Sequence, residues 1–251
     1  MNQELGLPPA ITACLFDLDG VLTPTAKVHA QAWKEMFDAF LKTREHTSSG
    51  ELLAPFDPAR DYEEYVDGKP RADGVRSFLA ARHIGLPEGS EDDPPGAVSI
   101  HGLGNRKDQI FLRLVHTHGV SAYEGSVRYV HAARAAGLKL AVVSSSKNTS
   151  EILRAARLDG LFDGQVDGNV AESKHLKGKP APDTYLEGAR ILGATAATSA
   201  VYEDALAGVE AGRAGQFGLV VGIDRVGQEA ALRAHGADVV VSDLADLMRS
   251  A

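Results

Sequence analysis

Apolar and polar positions follow two different rhythms along this chain. At residues 11–16 and through the second half, short apolar runs rich in β-branched residues alternate with stretches at helical spacing. The runs are Ile11 to Phe16, Leu138 to Val143, Ser199 to Tyr202, Leu219 to Val221 and Asp238 to Val241, with a weaker one near Phe162 to Val166. Helical patterns cover Val127 to Ala136, Glu151 to Leu158, Pro182 to Leu192 and Ala205 to Arg213. Near-continuous apolar strands separated by helices predict a parallel, doubly wound α/β sheet covered on both faces. Such sheets place their sites at the carboxyl ends of the strands.

From about Ala26 to Gly119 the rhythm changes, and no convincing strand is present. AKVHAQAWKEMFDAFL sets Val28, Ala32, Trp33, Met36, Phe37 and Phe40 at helical spacing. Two further helical patterns follow, around Gly74 to Arg82 and Arg106 to Val115. The polar, Pro/Gly-rich stretch between them, HIGLPEGSEDDPPGAVSIHG, reads as a loop. The pattern predicts two domains: residues 1–25 with 120–251 as the sheet core, and 26–119 as an all-α insert.

Composition narrows the partners. The 251 residues are 44% hydrophobic and 24% charged, ordinary for a globule with a proper core. The formal net charge is -8 and the pI about 5.6, which argues against a nucleic-acid footprint. The single cysteine, Cys14, lies inside the first apolar run and reads as a small core residue. The N-terminal residues lack a signal-peptide pattern, and no segment approaches the roughly 20 apolar residues of a membrane span. The expectation is a cytoplasmic protein without membrane partners; protein partners are left open.

The first apolar run ends in FDLDGVLT, residues 16–23. Alternation along a strand would point Asp17 and Asp19 into one small volume. Their repulsion calls for a cation, and magnesium, which uses one or two carboxylates plus phosphate oxygens, suits them. An acid pair at a strand end is common in solvated loops, so this motif alone is weak. Glu203 and Asp204 end another strand, and if the two strands are neighbours, four acids converge. Ser144 and Ser145 stand at a third strand end before a helix, where hydroxyls and free N–H groups could seat a phosphate or simply cap the helix. Lys179, in GKPAPD, precedes a proline-opened helix and could neutralise phosphate and acids, or be solvated in a turn. Together the four pieces suit phosphoryl transfer. Asp17 would attack phosphorus, and Asp19 would give and take the proton of the departing oxygen.

FDLDG, Ser144, KPAPD and YEDALAG, in this order, resemble the four motifs of the haloacid dehalogenase superfamily of phosphotransferases. The resemblance spans nearly the whole chain and implies a Rossmann-like core with a helical cap. Within that superfamily the chain is most similar to the β-phosphoglucomutase-like subfamily, through DLDGVLT with Thr25 and His29, SSSKN at 144–148, and the cap. This implies interconversion of β-glucose 1-phosphate and glucose 6-phosphate through phospho-Asp17, with Mg2+ held by Asp17, the Asp19 carbonyl, Glu203 and Asp204. Ser144, Ser145 and Lys179 would hold the transferring phosphoryl group. Arg71, in VDGKPRADG, matches the cap arginine that holds the distal phosphate, and Lys107, in LGNRKDQ, a second substrate-facing cap residue; most such residues are otherwise solvated surface. Thr25 and His29 resemble hinge-side residues that couple cap closure to placement of Asp19, although His29 read alone is a packing residue. The sequence departs from the subfamily at Pro24, where an acid is common, at Asp67, where smaller members carry a lysine, and in a longer loop around Glu88 to Val98.

A phosphatase acting on a small sugar phosphate shares every core residue and is the alternative. A non-enzymatic sugar-phosphate binder is a third reading. Gly212, Gly215 and Gly218 precede a strand rather than follow one, so they are no dinucleotide fingerprint. His116 and His118 lack the spacing of a helical metal pair. Ser145 is in no G-x-S-x-G elbow.

Overall fold

The structure is a computed structural model that describes residues 2–44 and 54–248. Its elements run β1 (Ala13–Phe16), α1 (Thr25–Lys42), α2 (Arg71–Ala81), α3 (Ile100–His118), α4 (Glu124–Ala135), β2 (Lys139–Val143), α5 (Thr149–Ala155), β3 (Gly164–Val166), α6 (Gly168–Ser173), α7 (Asp183–Ile191), β4 (Ser199–Glu203), α8 (Leu206–Ala214), β5 (Leu219–Ile223), α9 (Glu229–His235) and β6 (Val239–Val241). The chain forms two compact units. One comprises Met1–Thr25, Gly68–Pro70 and Val120–Ala251; the other Ala26–Asp67 and Arg71–Gly119.

The first unit is built on a six-stranded sheet in the order β3-β2-β1-β4-β5-β6, with every pair parallel. The α/β, doubly wound expectation holds. Most residues of β1, β2, β4 and β5 are apolar on both faces because helices cover both. Leu15, Ala141, Val143 and Val201 pack with Tyr185 and Ala189 of α7 and Val209 of α8. On alternate positions Phe16 stacks on Tyr202 at 4.5 Å and meets Tyr129 of α4 edge-on at 6.3 Å. The Tyr129 and Tyr202 hydroxyls lie 2.8 Å apart, which satisfies polar atoms buried in that layer. Burial pushes the Cys14 thiol up to about 12, so this cysteine is an inert core residue, as its position in the run implies.

The second unit is helical, and its described residues contain no strand. Trp33, Met36, Phe37 and Phe40 of α1 are buried at the predicted spacing. The Phe37 ring lies 3.9 Å from Phe78 of α2 and 5.4 Å from Phe56. Two boundaries differ from the sequence pattern. α2 begins at Arg71 rather than near Gly74, and α3 at Ile100 rather than near Arg106. Ser99 explains the latter: its hydroxyl accepts from Gly102 N at 3.0 Å and caps the helix six residues early. A π-helical turn at Tyr62–Val66 and the short α6 had no clear periodic signal. Among the described residues no helix is long and apolar enough to cross a membrane.

Candidate active site

The register of the sheet builds the site. Phe16 is opposite Val142 on one side and Tyr202 on the other, so the residues after each strand emerge at one edge. Asp17 N still donates to Tyr202 O at 3.0 Å, and Ser144 N to Val166 O at 2.9 Å, which fixes both residues at the ends of their ladders. Glu203 is the last residue of β4. The loop before α7 brings Lys179 to the same edge.

Lys179 is 3% exposed, and its Nζ lies 2.5 Å from Asp17 Oδ1 and 2.5 Å from Glu203 Oε1. Tyr185, in the first turn of α7, donates its hydroxyl to the same Glu203 oxygen at 2.8 Å. Burial opposes the ammonium charge, but the Asp17 and Glu203 carboxylates outweigh it and hold Lys179 above its usual range. The Asp17 carboxyl is pushed well above the carboxylate range, first by burial. Lys179 pulls it down, while Glu203 and Asp19 add to the rise.

Asp17, Glu203 and Asp204 are all buried and offer carboxylate oxygens within 4.8 Å of one another. Three buried carboxylates against one lysine leave excess negative charge, and an all-oxygen donor set fits a hard divalent cation. The fourth acid differs from expectation. The Asp19 carboxylate is outside this group because β1 ends at Phe16 and the chain turns, so strand alternation no longer aims it. Leu18 O accepts from Leu22 N and Thr23 N, and Gly20, at φ +86°, donates its N–H to Thr23 O at 2.7 Å. In that closed turn the Thr25 hydroxyl donates to Asp19 Oδ1, and Thr25 Oγ1 lies 2.5 Å from Thr23 Oγ1.

Ser144 is 2% exposed, and its Oγ accepts from Ser146 N at 3.1 Å, so it closes a local turn rather than capping α5. Ser145 Oγ donates to Gly68 O at 2.8 Å. The alternative of a plain helix cap is thereby excluded for both.

In the helical unit, Arg71 is partly buried. Its Nη1 lies 3.3 Å from Asp108 Oδ2 and 3.4 Å from Gly104 O and Asn105 Oδ1. Lys107 is buried rather than solvated. Its Nζ lies 2.5 Å from His29 Nδ1 and over the Phe111 and Trp33 rings, at 4.9 and 5.1 Å. His29 stacks on Phe111 at 4.0 Å. Thus Asp17, Lys179, Glu203 and Asp204 come together, Asp19 and Thr25 form a second pair beside them, and His29 and Lys107 form a third in the other unit.

Sequence reading missed Tyr185 and the Gly68 carbonyl. A tyrosine inside an apolar helix pattern looks like core, and a main-chain carbonyl leaves no trace in residue type.

The family profile for haloacid dehalogenase-like hydrolases matches residues 11–216. A protein of Mycobacterium tuberculosis named β-phosphoglucomutase is 55% identical over 250 residues, covering 98% of this chain and 95% of the relative. One of Bacillus subtilis with the same name is 32% identical, covering 94% and 91%. The crystal structure of β-phosphoglucomutase from Clostridium difficile superposes with a TM-score of 0.75 at 22% identity, covering 94% of this chain and 93% of that one. Sheet order, motif placement and full-length similarity lead to one conclusion: the chain belongs to the haloacid dehalogenase-like hydrolase family.

Proposed function

We propose that the protein is a phosphotransferase that interconverts β-glucose 1-phosphate and glucose 6-phosphate, with Asp17 as the group that carries phosphate between them. The observation that carries this reading is the Asp17 carboxylate, buried at the C-terminal sheet edge between the Lys179 ammonium and two further acids. A relative 55% identical over nearly the full length of both chains is named for that reaction, which favours transfer to sugar over transfer to water.

Asp17 Oδ attacks a phosphorus of glucose 1,6-bisphosphate. The O–P ester bond breaks as the Asp17–P bond forms, and Asp19 gives its proton to the departing sugar oxygen. On return, a hydroxyl of the other monophosphate attacks phospho-Asp17, its proton passes to Asp19, and the Asp17–P bond breaks as free Asp17 and the bisphosphate are both regenerated. Lys179 screens the negative charge that meets at Asp17. Ser144 and Ser145 line the end of β2 where the phosphoryl oxygens are proposed to rest. Asp17, Glu203, Asp204 and the Asp19 carbonyl would hold the divalent cation, proposed to be magnesium, which supplies charge neutralisation at the phosphoryl oxygens when bound. Arg71 is proposed to receive the second phosphate and Lys107, with His29, to meet the sugar; Thr25 keeps Asp19 in place.

The test is a coupled assay on purified protein with magnesium and β-glucose 1-phosphate, with and without glucose 1,6-bisphosphate. Formation of glucose 6-phosphate that depends on the bisphosphate is the expected result. Release of inorganic phosphate with no glucose 6-phosphate would establish the phosphatase reading instead.

A further inference from the structure

A loop outside the four motifs grips both acidic loops of the site. It follows β5 and runs from Asp224 to Gln228. Asp224 fastens it internally: Oδ1 accepts from Val226 N at 3.2 Å, Gly227 N at 2.6 Å and Gln228 N at 2.8 Å, and Oδ2 from Glu229 N at 3.1 Å. Burial pushes this carboxyl up, but the four N–H donors prevail and hold it below the usual carboxylate range. Two long side chains therefore leave a fixed turn in set directions. Arg225 Nε donates to Gly20 O at 2.8 Å, its Nη1 to Ser242 O at 2.8 Å and Asp243 Oδ2 at 3.3 Å, and its guanidinium lies 3.8 Å over the Tyr123 ring. Gln228 Nε2 donates to Asp204 O at 3.0 Å.

The two carbonyls that are gripped matter because of their places in the chain. Gly20 follows Asp19 directly, at φ +86°, where the backbone is least constrained by its own sterics. The next two carbonyls are also taken, Val21 O by Ser126 Oγ at 2.6 Å and Leu22 O by Tyr123 N at 2.9 Å. Arg225 thus completes a row of three anchored carbonyls in the turn that aims Asp19. The Asp204 carbonyl belongs to the residue whose carboxylate joins the three-acid group, so rotation of that peptide swings a proposed ligand.

We infer that Arg225 and Gln228 are positioning residues: the loop after β5 sets Asp19 through the Gly20 carbonyl and Asp204 through its own. The inference rests on the site assignment proposed above. Hydrogen-bonded groups behind metal ligands change metal affinity by about 10- to 100-fold when removed. The expected pattern is therefore split between the two residues. Gln228→Leu weakens magnesium binding to sugar-free protein, read by titration calorimetry, by about 10-fold. Arg225→Lys, which keeps the charge but loses the Nε donor, lowers kcat by about 10-fold with KM unchanged, the sign of an interaction that acts on the reacting geometry. Val226→Ser, at the exposed tip of the same loop, leaves both quantities at the parent values.

A tether with only a structural role would lower the melting temperature of both variants and leave magnesium affinity and kcat intact; that result overturns the inference. Equal losses in Val226→Ser would also overturn it, since the effect would then belong to general loosening of the loop. Because magnesium binding is read without sugar, an error in the proposed substrate leaves this readout unaffected and shows only in the coupled assay.

Discussion

Lys179 Nζ and Asp17 Oδ1 are 2.5 Å apart although 162 positions separate them in the chain. The same ammonium touches Glu203 at 2.5 Å, so one cation is divided between two buried acids. Removing one member of a buried charge network costs about 3–5 kcal/mol, because its partners are left without compensation. Lys179→Met is expected to lose stability on that scale in urea titrations without divalent ions, and to regain part of it with magnesium. No difference between the two conditions would mean that the carboxylates do not share a cation.

In the proposed reaction Asp19 transfers the proton and Thr25 supports it, and the two roles can be separated. Asp19→Ala is expected to lower kcat by about 10²- to 10⁴-fold, the range of a lost general acid–base. Thr25→Val keeps the shape but removes the hydroxyl that donates to Asp19, and is expected to cost about 10-fold in kcat, the worth of a hydrogen bond to a charged group. Steady-state kinetics on both variants decide it; parity of Thr25→Val with the parent would make that contact incidental.

Gly20 has no room for a side chain. A Cβ there would meet Asp204 Oδ2 at 1.6 Å, and φ is +86°. Gly20→Ala is expected to add about 1–3 kcal/mol of backbone strain and to displace the Asp204 carboxylate. The rise in melting temperature on adding magnesium to the parent should shrink or vanish in this variant. A full magnesium response in Gly20→Ala would show that Asp204 is not needed for the cation.

Glu187, on α7, pairs with Arg190 at 2.7 and 2.8 Å and with Lys174. The Arg190 hydrogen bonds, against the opposing push of burial and with help from Lys174, lower its carboxyl from 4.5 to about 2. A depressed folded-state value gives stability that is complete above the unfolded value and is lost as pH falls toward the folded one. The stability gap between the parent and Glu187→Gln should hold constant from neutrality to about pH 4.5 and close as pH approaches 2. Urea midpoints across that interval measure it.

Much of this architecture could be read from residue order. The apolar runs located all six strands, because buried parallel strands need side chains that suit both faces. The pairing of β1 with β4, on which convergence of the acids depended, needed the three-dimensional register. Asp17, Glu203 and Asp204 met at the strand ends, and Lys179 joined them from the loop before α7. Asp19 did not follow the alternation rule, because β1 ends at Phe16, where the apolar run also ends, and the chain turns before Asp19. Arg225, Gln228 and Tyr185 escaped notice for a different reason. Their partners in the acidic loops are main-chain carbonyls or a single shared carboxylate oxygen, and such partners leave no spacing pattern along a chain.

The central place of β1 has a consequence for biosynthesis. Its neighbours are residues 139–143 and 199–203, and Thr12 N finds its acceptor at Thr198 O. During synthesis Asp17 is made 162 positions before Lys179 and still earlier relative to Glu203 and Asp204, so their meeting must wait for those later segments. The group of acids and lysine is therefore assembled only once the slow, long-range pairing of β1 with β2 and β4 is complete.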